Sequence, residues 1–230
     1  MDFSNKILGV LFTWGDTTVY LTESLLATWV VMGLLIAFTI VVRVRMRGFK
    51  GVPTGFQNFI ETIVEMMNVL VGDTLGDDLK ALNGYFFGVF AFILTSNYIG
   101  MFGFRPPTSD LATTGALALI TFFFSHYLGI TKMKLRYWKT YIEPVPVFLP
   151  INLIGEIAKP LSLACRLFGN MLSGVIIVGL IYNLLPFALR FIFPTVIHGF
   201  FDVFTGALQT YVFTVLSMTF VRQLAAIEDN

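Results

Sequence analysis

Long stretches without a charged side chain decide what this chain can become. Residues 24–42 run for 19 positions without Asp, Glu, Lys or Arg, residues 81–104 for 24, and residues 111–131 for 21. At 1.5 Å per residue the shortest makes a helix about 28 Å long, close to the ~30 Å hydrocarbon thickness of a bilayer. Composition agrees, with 56% of the 230 residues hydrophobic, 13% charged and a mean hydropathy of +0.80. Soluble domains run at about 45–50% apolar and about 25% charged. The expected class is therefore an all-α, multi-pass membrane protein forming a single membrane domain over residues 1–230. Its net charge of +1, without a basic cluster interleaved with aromatics, gives no nucleic-acid footprint. The single cysteine, Cys165, excludes an internal disulfide and a multi-cysteine metal site; no metal or cofactor is expected. Cys165 is one residue from Arg166, hence on a different helix face, and is expected to be a small packing residue. No basic region precedes a short apolar run and a small-residue cleavage site at the N-terminus, so a cleaved signal peptide is not expected.

Charged flanks orient the spans. Arg43, Arg45, Arg47 and Lys50 follow the first span (20–43), which puts that end in the cytoplasm and the N-terminus outside. Residues 1–20 form a short external or interfacial lead-in. An amphipathic interfacial helix is expected over 53–72, with Thr54 and Gln57 at capping-box spacing. Phe56, Phe59, Ile60, Ile63, Met66, Met67 and Leu70 recur at helical period, opposite Gln57, Asn58, Glu61, Glu65 and Asn68. Such a helix lies on the membrane surface or packs on a neighbour. The second span (81–104) runs outward with Asn97 toward its outer end, and the Arg105–Asp110 stretch turns the chain. The third span (111–131) returns inward, with His126 near its inner end. Lys132, Lys134, Arg136 and Lys139, with Tyr137 and Trp138 as interface anchors, mark a second cytoplasmic flank. Pro144, Pro146 and Pro150 delay regular helix until about Ile151, although the long tilted helix is placed at 149–182. Residues 183–197 form an outer turn, and the last helix (195–225) leaves the C-terminus in the cytoplasm. The outer segments carry only Lys6, Arg105 and Arg190 of the basic residues.

Within the long helix stands Arg166, and no charge follows it until Arg190. A central intramembrane arginine costs roughly 2.5–3.5 kcal/mol on insertion scales, and such a residue is a functional-site hypothesis by default. Lys159, Ser162, Arg166, Asn170 and Ser173 follow one another at three- or four-residue steps, hence on one helix face. His198, Asp202, Thr205 and Gln209 do the same on the last helix. If Gln209 faces Arg166, antiparallel pairing sets Asp202 opposite Ser173, about 10 Å further out, to within one turn. A polar path thus descends from outside and stops at a fixed cation; Ser162, Lys159 and Glu156 begin a separate path inward. An arginine does not deprotonate at accessible pH, so protons cannot hop past it. It lowers the pKa of a carboxylate within about 4–6 Å by roughly 1–3 units. The chain supplies no carboxylate at Arg166's own depth, so the partner acid is expected on another, moving subunit.

The sequence Lys159-Pro-Leu-Ser-Leu-Ala-Cys-Arg166-Leu-Phe-Gly-Asn170-Met resembles the signature of subunit a of the F-type, rotary ATP synthase. Gly206-Ala-Leu-Gln209-Thr-Tyr-Val-Phe is similar to that family's last-helix motif, and the Pro-Thr-Ser-Asp110 and Pro53-Thr-Gly-Phe-Gln-Asn stretches also match it. The resemblance covers nearly the whole chain. It implies a tilted C-terminal helical hairpin against a ring of c subunits, each bringing one carboxylate to Arg166. It further implies peripheral-stalk b subunits, an indirect link to the catalytic head, surrounding lipids, and a non-catalytic, ion-translocating stator role. By the resemblance, Arg166 is the essential arginine, Asn170 and Gln209 stand beside it, and Asn97 lines the outer half-channel. Asp202 takes the place where relatives usually carry Glu or His. Val175 stands where some relatives carry a second acid, leaving Asp202 as the only expected carboxylate of the outer path. His198 is off the family's histidine position and is read, with Lys159 and Glu156, as a channel-mouth residue. A bacterial plasma membrane is the expected location, and the ion is H⁺ or Na⁺.

Two other classes fit less well. A secondary ion-coupled transporter should show paired repeats and broken helices in both halves, and neither is present. An intramembrane hydrolase needs a nucleophile beside a base; Ser125 and His126 are adjacent and point from different faces, and none is spaced to meet His198.

Overall fold

The computed structural model describes residues 7–14, 17–49, 53, 55–134, 137, 147, 149–184, 186, 197 and 199–225. Five of its helical segments are long and apolar enough to cross a membrane: Glu23–Gly48, Asp77–Phe102, Leu111–Met133, Leu149–Ile181 and Gly199–Ala225. The fold is that of an all-α multi-pass membrane protein, with one addition at its start. Strand β1 (Ile7–Trp14) pairs antiparallel with β2 (Thr17–Thr22). The short lead-in expected over residues 1–20 therefore contains paired strands. Its signal is a two-residue Gly15-Asp16 step between runs rich in β-branched and aromatic residues.

Helix α1 (Glu23–Arg45) follows directly. Thr22 caps it by accepting from the Leu25 amide, Glu23 sits at the positive end of its dipole, and Arg43 and Arg45 sit at the negative end. Only Ser24, Ala27 and Val31 are buried, while Trp29, Leu34, Ile36, Phe38 and Ile40 are open. In a bilayer such a helix presents most of its circumference to lipid or to another subunit.

Helix α2 (Phe56–Leu75) begins after Gly55, whose φ of 54° suits glycine, and shows no side-chain cap. Thr54, half of the expected capping box, lies outside the described residues. Gln57 is the second helical residue, and its amide donates to Glu61 Oε1 at 2.8 Å. Gln57, Ile60, Met67, Val71 and Leu75 are buried, whereas Phe59, Met66 and Val69 remain exposed. Helix α2 thus packs on α3 (Asn83–Tyr98) and on the last helix through one face and leaves a second apolar face open. Its polar residues Glu61, Glu65 and Asn68 line a broad groove against the basic end of α1.

After α3, 3₁₀ turns at Ile99–Phe102 and Pro107–Ser109 reverse the chain. Asp110 then caps α4 (Leu111–Met133), accepting from the Ala112 amide at 3.0 Å and from Ser24 Oγ at 2.7 Å. One carboxylate so ties the starts of α1 and α4 together at the end of the molecule expected to face outward.

Helix α5 (Leu149–Leu184) is 36 residues long. It starts two residues before Ile151 because Pro150 lies in its first turn, where a missing N–H has no helical partner to lose. Pro160 is different. It stands inside the helix and cannot donate to the Glu156 carbonyl. A π-helical segment, Gly199–Thr205, leads into α6 (Gly206–Ala225).

Helix α6 is the organising element, since α2, α3, α4 and α5 all pack against it. Its buried positions recur every three or four residues: Gly206, Gln209, Thr210, Phe213, Thr214, Ser217, Met218, Val221 and Leu224. Toward one end Met218 and Val221 join Met67, Val71, Leu75 and Phe86; further along, Phe213 joins Ile93, Ala118, Leu163, Ala164 and Leu167. Buried hydroxyls survive in this interior by bonding back one turn, as Thr210 does to the Gly206 carbonyl at 2.7 Å and Thr214 to the Thr210 carbonyl at 2.8 Å.

Candidate functional site

Helix α5 has two unlike faces. Leu163, Ala164, Leu167, Met171 and Val178 are buried against the bundle. On the other side Ser162, Cys165, Arg166, Gly169 and Ser173 are exposed in an otherwise apolar surface. Cys165 is therefore not the packing residue expected from its position; it is open on the same side as Arg166. Among the described residues Arg166 makes no hydrogen bond and no ion pair. Its charge faces outward from the bundle at the middle of a membrane-length helix, surrounded by small side chains.

One turn from Arg166, Asn170 Nδ2 donates to Gln209 Oε1 at 2.7 Å, bridging α5 to α6. Ser173 Oγ donates to the Asn170 carbonyl at 2.9 Å. The register thus differs by one turn from the expectation that Gln209 faces Arg166. Gln209 stands opposite Asn170, inside the one-turn latitude of that expectation, while Gly174 packs on Phe201, which keeps the expected register further out. Gln209 is 4% exposed, and among the described residues its Nε2 has no hydrogen-bond partner. A buried amide of that kind normally finds a partner.

Asp202 lies in the π-helical segment, 7% exposed. Its carboxylate packs so closely on Gly100 that a Cβ there would sit 3.2 Å from Oδ2, and 3.1 Å from the Pro106 ring. Glycine at position 100 is what admits the carboxylate. Asp202, Glu23, Arg105, Gly103, Val175 and Gly179 line one cleft. Glu23 at the start of α1 lines the same cleft, so Asp202 is not the only carboxylate there. Sequence spacing could not reveal it: 179 residues separate Glu23 from Asp202. Val175 is in the cleft as well, apolar as its sequence identity requires.

Asn97 is fully buried and does not open on the cleft. It donates from Nδ2 to the Gly206 carbonyl at 3.0 Å and to Thr210 Oγ1 at 3.2 Å, and accepts from Thr108 Oγ1 at 2.7 Å. These bonds make Asn97 a brace joining α3, the outer turn and α6. His198 lies outside the described residues.

At the opposite end of α5, Lys159 Nζ and Glu156 Oε1 form an ion pair of 2.6 Å, with Glu156 15% and Lys159 27% exposed. They line a second, narrow cleft with Ser125, His126, Pro160 and Phe220. Among the described residues no group of three His, Cys, Asp or Glu could hold a metal ion. The arrangement is thus two polar clefts, one toward each end of the bundle, displaced along α5 on either side of an arginine with no internal partner.

Comparison with known proteins gives the family. The family model described as ATP synthase A chain matches residues 25–222. The sodium-ion-specific ATP synthase subunit a of Propionigenium modestum is 36% identical over 218 residues, covering 87% of this chain and 73% of that one. ATP synthase subunit a 2 of Syntrophotalea carbinolica is 38% identical over 199 residues, 84% and 82% of the respective chains. The chloroplastic ATP synthase subunit a of Oedogonium cardiacum is 34% identical over 243 aligned positions, covering all of this chain and 92% of its own. With the family model spanning all but the hairpin and the two ends, this chain belongs to the ATP synthase subunit a family.

Proposed function

We propose that this chain is the ion-translocating stator subunit of a rotary ATP synthase, with two aqueous half-channels separated by Arg166. The observation that carries the reading is Arg166 itself, open and without a hydrogen bond or ion pair among the described residues. A buried unpaired charge is destabilising, and one facing lipid is costlier still. The partner is an intramembrane carboxylate carried past Arg166 on a ring of c subunits. Peripheral-stalk b subunits hold the stator, and the catalytic head converts rotation to ATP synthesis; this subunit carries no chemistry of its own. Ions enter from outside through the cleft lined by Glu23 and Asp202, meet the ring carboxylate near Asn170 and Gln209, and leave inward past Ser162 toward Lys159 and Glu156.

The distribution of Lys and Arg supports a cytoplasmic C-terminus and an external N-terminus, in a bacterial plasma membrane. Arg166→Ala should abolish coupled ion transport while the subunit still copurifies with the complex. Near-normal ATP-driven pumping in that variant would sink the reading.

A further inference from the structure

The inner cleft contains a titratable residue to which the stator reading gives no part. His126, on α4, is half-buried and lines the same narrow space as the Glu156 and Lys159 pair. Its Nδ1 lies 3.0 Å from the Phe122 carbonyl. A carbonyl only accepts, so Nδ1 carries the hydrogen, and in the neutral ring Nε2 is left as the base. The ring is held by Phe122, centroids 3.9 Å apart, and by the edge of Tyr137 at 6.2 Å. Tyr137 is itself seated on Gly129, where a Cβ would come within 2.9 Å of its ring. From α5 the charged groups acting on the imidazole are Glu156 and Lys159; α6 contributes only Phe220 and Leu224 to the cleft. Lys159 is in turn held over the Phe220 ring, 5.6 Å from its centroid. Because Pro160 carries no N–H, the Glu156 carbonyl is also free of its helical bond beside this space.

We infer that His126 is the inner proton acceptor of this subunit, exchanging protons between Glu156 and the water at the inner face. The inference rests on the stator reading and names a residue of its inward path. Glu156 stands ten residues inward of Arg166, about 15 Å along α5, which places the cluster at the end of the path and not at the ring carboxylate. In the outgoing direction the Glu156 O–H bond breaks as Nε2 takes the proton, giving an imidazolium and a carboxylate paired to Lys159. The imidazolium then releases the same proton from Nε2 to inner water, and the bond from Nδ1 to Phe122 restores the starting tautomer. No electrons move, and the reverse sequence serves the opposite direction.

The test uses the complete ATP synthase in inverted membrane vesicles, reading ATP-driven proton uptake against the pH of the inner face. His126→Gln can keep a donor to the Phe122 carbonyl but has no titrating nitrogen. Pumping should fall about a hundredfold, the lower side of what a positioned proton acceptor contributes, and the dependence of the rate on inner pH should flatten. Added imidazole should restore pumping in His126→Ala. An unchanged rate and profile in His126→Gln overturns the inference, as does a fall in an assembled His126→Ala complex that imidazole does not rescue. ATP-driven transport of Na⁺ without proton uptake overturns it too. If neither histidine variant assembles, Glu156→Gln carries the test, and a normal profile there is equally fatal. Arg166→Ala loses coupled transport whichever way these results fall, which separates failure of the relay from failure of the stator reading.

Discussion

Single residues divide here into those whose chemistry is evident in one place and those whose partners lie far along the chain. Arg166 belongs to the first kind, because a permanent charge at the middle of a membrane-length helix demands explanation wherever it points. Asn170 and Gln209 were legible as polar positions at helical spacing, but their 2.7 Å bond set a register one turn away from the one that spacing favoured. Asn97 shows the limit more sharply. A polar residue near a membrane surface reads as readily as channel lining as it does as a brace, and only Thr108, Gly206 and Thr210 decide between them. The two roles predict opposite outcomes for Asn97→Leu, which keeps most of the volume and removes three hydrogen bonds. At roughly 0.6–1 kcal/mol per bond, the brace predicts a loss of about 2–3 kcal/mol of stability. The midpoint of thermal unfolding of the solubilised subunit should therefore drop. An unchanged midpoint combined with slowed ion entry in the assembled complex would return Asn97 to the channel.

At the scale of elements, hydrophobic length located the spans well, because a run of charge-free residues has few other uses. The structures missed are those where backbone detail overrides side-chain pattern. The hairpin at 7–22 hung on a Gly-Asp pair between short β-branched runs. The start of α2 is marked by positive φ at Gly55. The π-helical segment Gly199–Thr205 has no clear sequence signature, yet it puts Asp202 into the cleft with Gly100. Glycine also sets how closely α3 and α6 approach, for a Cβ on Gly206 would sit 3.0 Å from the Asn97 Cβ. Gly206→Ala should push these helices apart and strain the bonds of Asn97, costing about 1–3 kcal/mol as overpacking does. Gly88→Ala on α3 meets nothing within 4 Å and serves as the control. Equal stability of the two variants, measured by chemical denaturation in the same detergent, would show that the α3–α6 contact is looser than described.

For the whole molecule, what must be explained is the open surface. Both α1 and α5 expose apolar side chains over most of their length, so hydrophobicity alone does not say which of them meets the rotor. The distinction comes from charge and size. The α5 face combines Arg166 with Ser162, Cys165, Gly169 and Ser173, small residues that let a facing helix come close. The α1 face has large side chains such as Trp29, Leu34 and Phe38 and no charge between Glu23 and Arg43. Because Cys165 is the only cysteine in the chain, the docking face can be read by disulfide formation without a background. A cysteine placed on the c subunit one turn from its carboxylate should cross-link to Cys165 on mild oxidation of the assembled complex. The bond requires Cα atoms about 4.4–6.8 Å apart, a separation reached only where the ring helix packs directly on α5. Trp29→Cys in a Cys165→Ser background should give no such product. If the α1 cysteine cross-links and Cys165 does not, the ring runs along α1, and Arg166 faces some other partner.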